Sequence, residues 1–238
     1  MDTNANAGND GGYSGGGGGG GNSSSNIIPL NPYLPGYDKS PIDPKKYANC
    51  FKNIQNAGAT YKVVVQVQEP TPGIRLNYGV NGVGHTAITL IKKGSNGVTV
   101  SQTIGFYPSG NKFSGPSKMV DNAKSDENNN IEFTVSMEFD LAGNVQAFNK
   151  ILDGISNPPT EYELLGMNCT AFVVGVCNLG GITLPNALNG VATFYDPLNL
   201  VQAMTPSELG ASMREARANG DSRVKSNPAP TQSHGPCN

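Results

Sequence analysis

The spacing of apolar residues changes along the chain, and each change marks an element. Tyr61–Gln68 is rich in β-branched residues and stops at Glu69-Pro70, as a strand does. His85–Ile91 and Val98–Phe106 read as two further strands, joined through the turn-forming Gly94-Ser95-Asn96-Gly97. Ile131–Phe139 alternates with period two, the pattern of a strand with one wet face. Between these last two strands, Tyr107–Asn130 is rich in Gly, Pro, Ser and Asn and predicts a long loop.

The period then changes to that of helices. Val145, Phe148, Ile151, Leu152 and Ile155 fall on one face of a helix over Asn144–Ile155, stopped by Asn157-Pro158-Pro159. Asn168–Leu179 predicts a second helix, apolar almost all round and ended by Gly180-Gly181. Thr205-Pro206-Ser207-Glu208 is a capping box with Pro at the first helical position, opening a third helix toward Ala218. Strands followed by helices predict an α+β fold: an antiparallel sheet of about four to five strands with helices packed on one face.

Composition narrows the folded part. Residues 1–26 are a Gly/Ser tether, and residues 27–44 hold five prolines. The expected organisation is a disordered Gly/Ser and Pro-rich leader over 1–44, one α+β domain over 45–219 and a flexible tail over 220–238. Residues 27–44 are also candidates to dock on the domain, and Tyr47–Asn56 to cover a site as a plug. A poly-Gly start is unusual for a native N-terminus and suggests a piece of a longer parent protein. The chain has neither the basic nor the apolar stretch of a signal peptide, and no apolar run reaches the roughly 20 residues that span a bilayer. Charged residues make up only 14% of the chain, the net charge is −2, and Lys and Arg are scattered. That excludes the clustered basic footprint of a nucleic-acid binder.

The candidate chemistry is sparse. The four cysteines show no C-x-x-C pairing and no His cluster, so neither a zinc site nor any other metal centre is expected. Cys169 and Cys177 are separated by roughly 12 Å along one helix, too far for a disulfide. Cys50 and Cys237 flank the domain; they are either a bridge tying the tail back or two unrelated thiols. Cys169 follows Asn168, a good N-cap, so it stands where free amides and the helix dipole favour a thiolate. A cysteine nucleophile needs a base. Of two histidines, His234 lies in the tail, leaving His85, placed after Gly82-Val83-Gly84 at the start of a strand. The plain alternative is that a buried cysteine simply packs, which is the expectation for Cys177.

Gly84-His85-Thr86-Ala87-Ile88, Asn168-Cys169-Thr170-Ala171-Phe172-Val173 and Gly181-Ile182-Thr183-Leu184-Pro185 together resemble circularly permuted NlpC-like cysteine hydrolases. This is the branch of papain-like folds in which His precedes Cys. It includes uncharacterised Bacteroidetes proteins and C-terminal modules of polymorphic toxins, in which a motif like Ile104-Gly105-Phe106-Tyr107-Pro108 recurs. Lecithin–retinol acyltransferase-like proteins share the order, but follow Asn-Cys with Glu-His where this chain has Thr170-Ala171.

The resemblance implies a permuted papain-like fold without a cofactor. Cys169 would be the nucleophile, His85 the base, and Asn168 and Thr170 the oxyanion or supporting residues. The family's third member is a polar residue on the strand after the histidine strand. Of Ser101, Gln102 and Thr103, Gln102 has the longer reach and an amide oxygen to accept from the ring. The implied activity is cleavage of an amide bond in a peptide or in peptidoglycan. The implied setting is secreted or cell-envelope associated, as part of a secretion or toxin parent. An acyltransferase and an inactive binding module on the same fold are the alternatives.

Overall fold

The structure, a computed structural model, describes residues 26–122, 132–228 and 233. In chain order the elements are β1 (Ile27–Ile28), α1 (Pro44–Asn49), β2 (Thr60–Gln68), β3 (His85–Lys93), β4 (Thr99–Pro108), β5 (Ser114–Asp121), β6 (Val135–Asp140) and α2 (Val145–Ser156). They continue with β7 (Glu161–Glu163), α3 (Cys169–Leu179), β8 (Leu188–Thr193), β9 (Val201–Met204), α4 (Pro206–Ala218) and β10 (Val224–Ser226).

Among the described residues, seven strands form one antiparallel sheet in the order β10-β6-β2-β3-β4-β5-β7. The register gives that sheet two distinct faces. Val63, Val65 and Val67 stand beside Leu90, Ile88 and Thr86, and Leu90 and Ile88 stand beside Gln102 and Ile104. This face meets Phe148 and Ile151 of α2, Phe172 and Val173 of α3, and Leu209 and Met213 of α4 in one core. The opposite face carries Gln66, Gln68, His85, Ala87, Thr89, Thr103 and Tyr107. Three strands form a second sheet, with β8 at its centre, β1 parallel to it and β9 antiparallel.

The helices begin where their caps predict. Asn144 Oδ1 accepts from the amide of Ala147, and Thr205 Oγ1 from that of Glu208, with Pro206 opening α4. The α+β class and the helices on one face stand as expected, but the main sheet has seven strands where four to five were expected. The expected loop Tyr107–Asn130 contains β5, whose Ser-Gly-Pro-Ser-Lys start has little strand propensity. Pairing with β4 supplies what propensity lacks. The expected flexible tail contributes β10 to the sheet edge. Ser233 bonds both Asp121 Oδ1 (2.9 Å) and the Thr103 amide (3.1 Å).

The expected disordered leader is tied to the domain where described: β1 joins the small sheet, and Ile28 and Leu34 are core residues. Prolines did not prevent this, because β1 is only two residues long and precedes the first of them. Cys50 is disulfide-bonded, and its candidate partner Cys237 lies outside the described residues, as does His234.

Candidate functional site

Cys169 is the first residue of α3. Asn168 fixes it in place from four directions. Its Oδ1 accepts from the amides of Thr170 (2.9 Å) and Ala171 (3.0 Å), and its Nδ2 donates to the carbonyls of Leu164 (2.8 Å) and Met204 (2.9 Å). Phe172 stacks on Phe106 at 4.9 Å, and the Thr170 and Thr86 hydroxyls meet at 2.9 Å, so α3 is locked to β3 and β4. Asn168 and Thr170 thus stand as supporting residues: the Asn168 side chain caps the helix and holds the Leu164 and Met204 carbonyls, and the Thr170 hydroxyl meets Thr86.

The Cys169 thiol accepts from the backbone amide of Thr86, which places the sulfur against the peptide joining His85 to Thr86. The Thr170 side chain and the Thr170 and Cys169 amides also stabilise negative charge there, yet burial outweighs them and raises the thiol above its ordinary value. This corrects the expectation of an acidic helix-start thiol: water has been excluded, and the amides recover only part of the lost solvation. Cys177, on the same helix without those donors, is pushed by burial to about 12.

His85 opens β3 after two glycines with left-handed backbone, Gly82 (φ +61°) and Gly84 (φ +74°). A Cβ at Gly84 would lie 2.5 Å from the carbonyl oxygen of Gln68, so only glycine fits that approach. The imidazole lies on the face opposite the helices. It stacks on Tyr107 with centroids 4.3 Å apart. Its Nε2 sits above Gly105, 2.7 Å from where a Cβ would be, and Asn122 Oδ1 lies 2.0 Å from the same point. Asn122 Nδ2 donates to the Tyr107 hydroxyl at 2.5 Å, which turns its oxygen toward the ring. The approach of Oδ1 to Nε2 is close but not aligned as a regular hydrogen bond. Burial lowers the imidazole to about 3; contact with Asn122 opposes this, and the Lys39 charge adds to it.

Gln102 is not the partner of His85. It pairs with Leu90 across the strands and so lies on the helix side, the face His85 turns away from. Asn122, just past β5, takes the place beside the ring. Sequence reasoning missed it because its segment reads as loop; the one available signal was a polar Asp-Asn pair ending the apolar Met119-Val120.

A cavity of about 20 Å³, room for about one water, opens beside Cys169 among Ile28, Val83, Tyr162, Leu164 and Val191. The expected plug Tyr47–Asn56 lies elsewhere: Ala48–Asn56 line a separate cleft with α2, and Tyr47 bonds Asp121. Among the described residues, no three His, Cys, Asp or Glu side chains stand together as metal ligands, and no helix is long and apolar enough to cross a membrane. Compared with protein-family models, with curated proteins and with solved structures, the chain matches none.

Proposed function

We propose that the protein is a cysteine hydrolase that cleaves amide bonds in peptides or peptidoglycan stem peptides, on a permuted papain-like, NlpC-like arrangement. One observation carries this reading. A helix-start cysteine accepts from the amide next to His85, and the imidazole of His85 meets the side-chain oxygen of Asn122. In this reading Cys169 is the nucleophile, His85 the base and Asn122 the residue that orients it.

With Nε2 carrying its proton on the Asn122 side, Nδ1 keeps the lone pair that this reading requires to reach and accept the thiol proton. The Cys169 sulfur attacks the scissile carbonyl, and the Cys169 amide at the helix start donates to the oxyanion. The C–N bond breaks as the imidazolium returns its proton to the leaving amine. Water, deprotonated by His85, then hydrolyses the thioester. The disulfide at Cys50 accords with an oxidising, secreted or cell-envelope setting.

The second reading is an inactive binding module. It rests on the burial of both groups, at 5% exposure for Cys169 and 2% for His85. Both are then uncharged near neutral pH. The test is product analysis by mass spectrometry with a panel of peptide amides and peptidoglycan stem peptides. Cleavage that falls to background in Cys169→Ala and His85→Ala is expected. Cleavage that survives Cys169→Ala overturns the hydrolase reading, and a chain whose Cys169 alkylates readily yet cleaves nothing favours the binding module.

A further inference from the structure

The segment before α1 lies across the candidate site. β1 runs parallel to β8, pairing Ile27 with Ala192 and Ile28 with Thr193, and the Ile28 carbonyl accepts from the Phe194 amide at 2.8 Å. The Ile28 side chain forms one wall of the cavity that Cys169 lines from another side. Further along, the Tyr33 carbonyl accepts from the Val83 amide at 3.1 Å, two residues before His85. Gly82 makes that approach possible, since a Cβ there would lie 2.2 Å from the Tyr33 oxygen. Lys118 Nζ then holds the carbonyls of Tyr37 and Lys39, and the charge of Lys39 reaches His85. The segment is bound through backbone hydrogen bonds and two buried aliphatic side chains, of which Ile28 is the one at the cavity. That is how an extended peptide is bound at a sheet edge: main-chain bonds give affinity and alternate side chains fill pockets.

We propose that the β8 edge beside Cys169 is a cleft for an extended peptide carrying a branched aliphatic residue in the Ile28 pocket, and that Ile27–Ile42 occupies it as an intramolecular ligand that keeps the site closed. This rests on the hydrolase reading for what the cleft delivers to Cys169, but its geometry stands apart from it. Ile27, exposed, faces away from the pocket; Ile28, 3% exposed, fills it. The same cover closes the cavity that the Cys169 thiol lines.

Alkylation of the full chain by iodoacetamide, read site by site by peptide mass spectrometry, tests the cover without requiring turnover. Cys177, fully buried in the same helix, is the internal control for unfolding. Cys169 should label slowly in the wild-type chain. It should label roughly tenfold to a hundredfold faster in Ile28→Asp, the range expected when burial of one aliphatic side chain no longer holds the cover down. Ile27→Asp should label at the wild-type rate, and Cys177 should stay protected throughout. If Cys177 labels in Ile28→Asp, the milder Ile28→Ser decides by the same criterion.

Adding a peptide of residues 26–33, NIIPLNPY, to the Ile28 variant should restore protection saturably. The same peptide with Gln in place of Ile28 should not. Equal rates in wild type and both Ile28 variants, fast labelling of the wild type with Cys177 protected, or no protection by the peptide would each overturn the proposal. An opened chain that binds the peptide but cleaves nothing overturns the hydrolase reading alone.

Discussion

The two faces of β3 are both buried from His85 to Leu90 and differ in everything else. On the helix side stand Ile88 and Leu90, inside the core of α2, α3 and α4. On the other side stand His85, Ala87 and Thr89, with the Thr89 hydroxyl bonded to Gln66 Oε1 at 2.9 Å and to Thr103 Oγ1 at 2.8 Å. One face is held by apolar area, which tolerates small shifts. The other is held by a directional network, in which each group depends on its partner. Cys169 arrives on the helix side and reaches the boundary between the faces only because α3 starts at the end of the strand. The candidate chemistry therefore sits where the two kinds of interior meet.

The largest expected effect lies on the apolar face. Leu90→Ala should cost about 2–5 kcal/mol, the range for deleting a fully buried leucine side chain. Urea denaturation measures it, as a lower midpoint with an unchanged slope. A loss below about 1 kcal/mol would mean that this face is not the main core.

The next effect belongs to the polar face and depends on pH. In the unfolded chain His85 takes up a proton near its ordinary 6.5; in the fold it stays neutral to about 3. The unfolded state therefore binds more protons across that window. Stability falls as pH drops from 6.5 toward 3, by up to about 1.4 kcal/mol per pH unit, and is fully present above 6.5. Midpoints measured from pH 7 to pH 4 should fall more steeply for the wild-type chain than for His85→Gln. Parallel acid limbs would mean that the ring is solvated.

The apolar face was legible in the sequence and the polar face was not. Val63, Val65, Ile88 and Leu90 announce themselves by period, and α3 by its unbroken apolar run between Asn168 and Gly180. Cys169 and His85 stood out because few reactive residues compete with them. Register did not, and register decides which of Ser101, Gln102 and Thr103 looks toward His85. Nor did β5, because a strand that begins Ser-Gly-Pro-Ser-Lys is made by its neighbour. Asn122 was therefore out of sight. The leader was hidden for the complementary reason: composition describes what a segment is on average, while its docking depends on two apolar side chains, Ile28 and Leu34, and on backbone hydrogen bonds that composition does not show.

Smaller than the pH effect is the loss of a single hydroxyl. Thr89→Val preserves shape but removes the hydroxyl that joins Gln66 to Thr103 in a dry interior, at an expected cost of about 0.5–1.5 kcal/mol. Denaturation of the single and the paired Thr89→Val/Thr103→Val chains checks it. The double variant should lose less than the sum of the singles, because the Thr89–Thr103 bond is counted in both singles and lost only once.

The smallest effect in energy is the most discriminating for the site. If the polar face orients His85 through Asn122, then Asn122→Ala frees Nε2–H from its acceptor and shifts the ring between tautomers. Gln102→Met, on the helix side across from Leu90, leaves the ring untouched. The readout is the pair of imidazole ¹⁵N chemical shifts of His85 at neutral pH. Asn122→Ala should move both nitrogens toward their tautomeric average, while Gln102→Met should leave them at wild-type positions. A shift on replacing Gln102, or none on replacing Asn122, would return the third position to β4 and require His85 to face the helices. That rotation is hard to reconcile with the ring's stacking on Tyr107 and its seat above Gly105. Gly105→Ala offers an independent route to the same answer. Its Cβ would press on both Asn122 Oδ1 and His85 Nε2, so it should reproduce the Asn122→Ala spectrum without removing either side chain.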